Sequence, residues 1–140
     1  MVSGKYVDLL RRSGYKITPQ RLTVIKYIED HSPGHFKAED IYQGTKEEEP
    51  TITLATVYNI LRALREAGAV RSFEANGSMW FETNTELHGN MVCRVCGRIF
   101  DVPLGEEVQN ALITSEHSIE SVSIIMNGVC RECRSRMPPP

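Results

Sequence analysis

Along the first half of the chain, apolar residues recur in a helical rather than an alternating rhythm. Tyr6, Leu9 and Leu10 share one helix face, which predicts a helix over about residues 2–13, closed by Gly14 in a left-handed cap. A second helix starts at Thr18, a good N-cap, with Pro19 at the first helical position and Leu22, Ile25 and Ile28 as its apolar stripe. Ala38, Ile41 and Tyr42 mark a short third helix over residues 37–45, and an acidic loop of Glu47, Glu48, Glu49 and Pro50 follows it. The fourth helix, residues 53–67, sets Leu54, Val57, Leu61 and Leu64 on one face and Thr56, Asn59 and Arg62 near the opposite one. Gly68 ends it.

The rhythm then changes. Residues 70–75 and 78–82 flank an Asn76-Gly77 pair, the strongest short signal for a β-hairpin. Composition shifts again between Thr83 and Thr85, which places a boundary between a domain of residues 1–83 and one of residues 84–140. Beyond it the pattern predicts a strand over 98–102, a helix over about 105–115, a strand over 119–126, and a loose tail at Pro138, Pro139 and Pro140. The expected class is α+β.

At 140 residues, 41% hydrophobic and 24% charged, the chain has the make-up of a soluble globular protein of one or two compact domains. It lacks the apolar run of about 18 residues that a membrane span needs, and its start lacks a signal-peptide pattern. Cytoplasmic residence, with no membrane partner, is the expectation. A net charge of −2 does not advertise a nucleic-acid partner. Its distribution reopens the question, because Lys5, Arg11, Arg12, Lys16, Arg21 and Lys26 face only Asp8 before Glu29. Phosphate contact needs only a local basic face, although a solvated helix surface would read the same way.

Three helices and a hairpin follow the order of a winged helix-turn-helix. The helix over 53–67 would then be the recognition helix in the major groove. Thr53 and Thr56 permit close approach, and Tyr58, Asn59 and Arg62 can reach bases or phosphates, with Arg21 a further candidate contact. Periodicity alone fits an ordinary amphipathic surface helix equally well.

All four cysteines fall in two pairs, Cys93-x-x-Cys96 and Cys130-x-x-Cys133. Two such knuckles brought together supply the four tetrahedral thiolates of a closed, structural zinc site, one Zn2+ per subunit. Gly97 permits the tight turn after the first pair. About thirty residues separate the pairs, enough for a strand, a helix and a strand. The rival is thiol redox chemistry, which usually places a lone CxxC at a helix N-terminus in a βαβ setting. Zinc-deaminase chemistry needs a His-x-Glu that the chain lacks. An enzyme is not expected; the rival classes are a thiol oxidoreductase or zinc hydrolase, and a zinc-stabilised adaptor that does not bind DNA.

With both halves read, the chain resembles the ferric-uptake-regulator (Fur) family of bacterial metalloregulators over nearly its whole length. The resemblance rests on T-P-Q-R from Thr18, H-F-K-A-E-D-I-Y from His35 and T-L-A-T-V-Y-N-I-L from Thr53. To these it adds Cys93-x-x-Cys96-Gly97 and the closing Gly128-Val129-Cys130-x-x-Cys133. It implies an N-terminal winged helix, a small C-terminal α/β dimerisation domain with the four-cysteine zinc site, a homodimer, and a double-stranded palindromic operator as partner.

The resemblance also implies a regulatory metal site between the domains, with His35, Glu82, His88, Asn90 and Asp101 as ligands. Two imidazoles with carboxylates suit Fe2+ or Mn2+, with Zn2+ able to take their place. Asn90 departs from the family pattern, where histidine is usual; as an amide it is either a weaker fifth donor or a polar neighbour of a four-ligand site. His31 and His117 match no motif and read as surface histidines. Asp101 and the Tyr58-Asn59 dipeptide resemble the peroxide-responsive (PerR-type) branch, in which iron-bound protein reacts with peroxide and a ligand histidine is oxidised. Glu82 is less typical of that branch. The resulting expectation is a metal-dependent repressor that senses peroxide, with an iron-, manganese- or zinc-responsive uptake regulator as the alternative. Its switch would be linkage: a metal held by both domains favours one hinge angle, and so one spacing of the two recognition helices.

Overall fold

A computed structural model describes residues 4–138. Val2 and Ser3 of the predicted first helix, and Pro139 and Pro140 of the predicted tail, lie outside the described residues. The chain divides into two compact units, Met1–Thr85 and Glu86–Pro140.

The N-terminal unit begins with α1 (Gly4–Arg12) and α2 (Pro19–Asp30). Gly14 takes φ of +86° just past α1, so the left-handed stop falls where the glycine allows it. The Thr18 hydroxyl accepts the Arg21 backbone N–H at 3.2 Å, and Pro19 opens α2 as its missing donor permits. The buried stripe of α2 is Val24, Ile25 and Ile28, whereas Leu22 is 38% exposed. At about 100° per residue, Leu22 lies roughly 60° beyond Ile25 and points off the core arc. That corrects the stripe expected from sequence.

Next come α3 (Ala38–Thr45) and α4 (Leu54–Glu66). The Asp40 carboxylate accepts the Lys37 N–H at 3.1 Å, and the Thr53 hydroxyl accepts the Thr56 N–H at 3.2 Å, so both helix starts are capped. Val57, Ile60, Leu61, Ala63 and Leu64 of α4 enter one core with Leu10, Ile25, Ile28 and Ile41. Each such large side chain contributes about 1.5–3 kcal/mol by leaving water. Leu54, expected on the buried face, is instead 36% exposed.

The hairpin is β2 (Arg71–Ala75) and β3 (Ser78–Glu82), in register from Ala75 opposite Ser78 to Arg71 opposite Glu82. Asn76 and Gly77 both have positive φ, +53° and +73°, the signature of a type I′ turn. A two-residue strand, β1 (His35–Phe36), pairs with β3 and completes a sheet of order β1-β3-β2. Two residues carry no readable period, and β1 was invisible in the sequence.

In the C-terminal unit, β4 (Gly89–Cys93) is the central strand, with β5 (Ile99–Val102) antiparallel on one side and β6 (Ile124–Gly128) parallel on the other. Helix α5 (Glu106–Ile113) connects β5 towards β6, and α6 (Arg131–Ser135) closes the unit. No pattern in the sequence pointed to β4. The strand expected over 119–126 lies instead at 124–128, because β4 starts at Gly89 and its first partner is Ile124. Among the described residues, no strand pairs with residues 119–123. Among the described residues no helix is long and apolar enough to cross a membrane.

Candidate functional site

Three constellations carry chemistry. The first is the cysteine quartet. Cys93 ends β4, Cys96 follows in the turn, Cys130 precedes α6 and Cys133 lies within it, and all four Sγ atoms fall within 4.8 Å of one another. Gly97 at φ +76° closes the turn, donating its N–H to the Cys93 carbonyl at 2.9 Å. The parallel pairing of β4 with β6 delivers the second knuckle to the first, ending at Cys93 opposite Gly128.

The electrostatics draw two of the thiols toward thiolate and push a third away from it. Backbone N–H groups of Cys130 and Cys96 point at Cys93 Sγ, at 3.3 and 3.5 Å, and hold that thiol well below its ordinary range. Arg98 Nε, 3.5 Å from Cys96 Sγ, pulls the Cys96 thiol down as well. Cys133 is pushed up, first by its contact with Cys130 and then by burial, because the neighbouring sulfurs resist sharing further negative charge. A divalent cation among four sulfurs relieves that repulsion, and four thiolates leave no open position. The donor set is compatible with a structural zinc site. Sequence reasoning missed Arg98, which also binds Glu132 Oε2 at 2.6 Å and so ties the first knuckle to α6. Its position two residues after Cys96 was the available hint.

The second constellation consists of two imidazole–carboxylate pairs, one in each unit. In the N-terminal unit, His35 stands opposite Glu82 across β1 and β3, with Nε2 and Oε2 3.5 Å apart and Glu82 buried. The short strand β1 exists only through that pairing, so the fold itself sets this contact. In the C-terminal unit, His88 Nε2 lies 3.4 Å from Asp101 Oδ1. His88 Nδ1 is 2.6 Å from the Glu86 carbonyl. A carbonyl only accepts, so Nδ1 carries the proton, and in the neutral ring Nε2 presents a lone pair toward the Asp101 side. Such backbone orientation of a histidine is typical support for a metal ligand. Asn90 sits directly opposite Asp101 in the β4–β5 ladder, on the same sheet face, and is buried.

The third is the solvent side of α4. Thr53, Asn59 and Arg62 are exposed, and Thr56 and Tyr58 are half-buried. Thr53 and Thr56 are engaged in capping, their hydroxyls 3.0 Å apart. The Tyr58 phenol donates to Glu39 Oε1 of α3 at 3.0 Å, a partner the sequence reading did not identify. Arg21 folds back over the Tyr15 ring and donates to the Lys16 carbonyl at 2.6 Å.

Comparison with known proteins places these features in a family context. The model of the ferric uptake regulator family matches residues 12–127. The peroxide-responsive repressor PerR of Staphylococcus epidermidis is 35% identical over 130 residues, covering 89% of this chain and 85% of that protein. The ferric uptake regulator of Vibrio cholerae, whose structure shows rearrangement of its DNA-binding domains, superposes with a TM-score of 0.71 at 26% identity, over 88% of this chain and 98% of that one. The Helicobacter pylori ferric uptake regulator, with three functional metal-binding sites, superposes at 0.74 over 93% of this chain and 89% of that one. At 22% identity that last likeness concerns the fold.

Proposed function

This chain belongs to the ferric uptake regulator family, and from that premise we propose that it is a metal-dependent, peroxide-sensing repressor. Members of the family are transcriptional regulators that bind DNA, not enzymes. The finer reading concerns which residues hold which metal and what the metal controls.

Cys93, Cys96, Cys130 and Cys133 hold one structural Zn2+ per subunit. His35, Glu82, His88 and Asp101 are the regulatory ligands, with the Asn90 amide oxygen as fifth. The observation that carries this reading is the matched pair of half-sites, His35–Glu82 in one unit and His88–Asp101 in the other. Two imidazoles with two carboxylates and one amide oxygen form a donor set for Fe2+ or Mn2+; Zn2+ also fits the nitrogens. Replacing an imidazole by the Asn90 amide shifts the preference toward the harder ions. When bound, such an ion supplies bonds shared by the two units and, if it is iron, reactivity toward hydrogen peroxide. Ligands drawn from both units make ligation depend on their relative orientation, so metal affinity and operator affinity are linked.

The protein acts as a homodimer on a palindromic operator. The support is apolar surface in the C-terminal unit. Helix α5 has no buried residue among those described, and Val108, Ile113 and Ile119 are exposed. A two-fold pair presents two α4 helices, whose Thr53, Thr56, Tyr58, Asn59 and Arg62 face the major groove, while Arg21 faces the phosphates.

The test is operator binding by gel shift with manganese, iron or chelator, followed by peptide mass mapping after aerobic iron loading. We expect metal-dependent binding and one added oxygen on a peptide containing His35 or His88. Equal affinity with metal and with chelator overturns the metal switch. Iron-loaded protein without added oxygen reduces the function to metal-responsive uptake control.

A further inference from the structure

The exposed face of α4 carries a polarity that its sequence does not display. Tyr58 and Arg62 are four residues apart, hence neighbours on one helix face, with exposed Leu54 one turn earlier. The Tyr58 phenol has one proton, and the structure commits it to Glu39 Oε1 at 3.0 Å. A carboxylate offers only acceptors, so the direction of that bond is fixed. What the phenol oxygen keeps for a ligand is its lone pairs.

Glu39 is well placed to hold that proton. It stands in the first turn of α3, where the helix N-terminus favours a negative charge. The bond also raises the Tyr58 pKa, its largest cause being Glu39 itself. The side chain of Tyr58 is anchored at its other end too, its ring packing against the N-terminal core.

An oxygen that can only accept has a restricted set of partners on DNA. Phosphate oxygens are acceptors and offer it nothing, and the Glu39 charge repels them. In the major groove the donors are the exocyclic amines, N6 of adenine and N4 of cytosine, while guanine and thymine present acceptors at the matching edge. We propose that Glu39 is a positioning residue that fixes Tyr58 as a base-reading acceptor selective for an adenine or cytosine amine. The inference rests on the assignment of α4 to the major groove. Arg62, beside it, offers donors only, so the two side chains carry complementary halves of a hydrogen-bond code.

The experiment uses the full-length, manganese-loaded protein and a random-sequence DNA duplex pool, from which bound sequences are selected and read. Wild type, Tyr58→Phe, Glu39→Ala and Glu39→Gln are compared, with folding checked by circular dichroism. The wild-type motif is expected to contain a symmetric pair of positions preferring adenine or cytosine about fivefold, the worth of one net hydrogen bond. Tyr58→Phe and Glu39→Ala should lose that preference at the same positions. Glu39→Gln keeps an acceptor oxygen for the phenol and should retain it, even though both Glu39 variants remove the same charge and share any change in salt dependence. Loss in Tyr58→Phe but not in Glu39→Ala overturns the role of Glu39. A motif unchanged in all three variants overturns base reading by Tyr58. If wild type selects no motif, the repressor assignment beneath the inference fails with it, and that result differs from the other two.

Discussion

The side chains that would govern retention of a metal ion at the cysteines are the four thiols and the Arg98 guanidinium beside Cys96. Arg98 lowers the Cys96 thiol, and protons compete with a metal ion for each sulfur. A depressed thiol pKa makes the thiolate, and the stability it brings, available above the ordinary thiol range and lost as pH falls through the depressed value. Removing the guanidinium raises that value. If the four cysteines hold zinc as proposed, Arg98→Gln should release it at a higher pH than wild type in an acid titration followed with a colorimetric chelator; coincident release curves would show that Arg98 has no influence on Cys96. At the same scale, the Glu86 carbonyl fixes the His88 tautomer, a role no sequence pattern reveals because any residue supplies a carbonyl.

Helices in the N-terminal unit are held by the faces they bury, and α4 shows how unequal its leucines are. Leu61 is fully buried, while Leu54, seven residues earlier on the expected apolar stripe, is 36% exposed. Leu61→Ala should cost about 2–5 kcal/mol through lost transfer energy and a cavity, whereas Leu54→Ala should stay within about 0.5 kcal/mol. Urea denaturation of the two variants measures both; equal losses would mean that Leu54 is packed as tightly as Leu61. The exposure of Leu54 also leaves an apolar contact on the same face as Tyr58 and Arg62, which suits a thymine methyl.

For the whole chain, the two units differ in what sustains them. Among the described residues, the N-terminal unit has a hydrophobic core cluster of seventeen buried residues drawn from its helices and sheet, with Thr45 and Glu82 buried as well. In the C-terminal unit one buried cluster is Cys93, Cys130 and Cys133 with Met91, Phe100 and Val129 against it, and Val92 is buried beside Cys93 in β4. A cluster built on three buried cysteines depends on whatever those sulfurs bind. Stripping the metal with a strong chelator should therefore abolish slow amide exchange in β4, β5 and β6 while the α2 and α4 amides stay protected, as followed by hydrogen-exchange mass spectrometry. Loss of protection in α2 and α4 as well would show that the N-terminal unit cannot stand without the metal bound at the four cysteines.

Much of this was legible in the linear chain because it depends on local chemistry. Thr18 with Pro19 starts a helix, Asn76 with Gly77 turns a hairpin, and two CxxC pairs form knuckles wherever the chain lets them meet. The spacing of Val57, Leu61 and Leu64 marked the buried side of α4 without reference to any partner. Tertiary structure alone decided the rest. The strands β1 and β4 exist because β3, β5 and β6 lie beside them, and a ladder partner leaves no mark on a two- or five-residue stretch. The same holds for the proton of Tyr58. Its donor is written in the sequence, but its acceptor, Glu39, lies nineteen residues away and meets it only because α3 packs on α4.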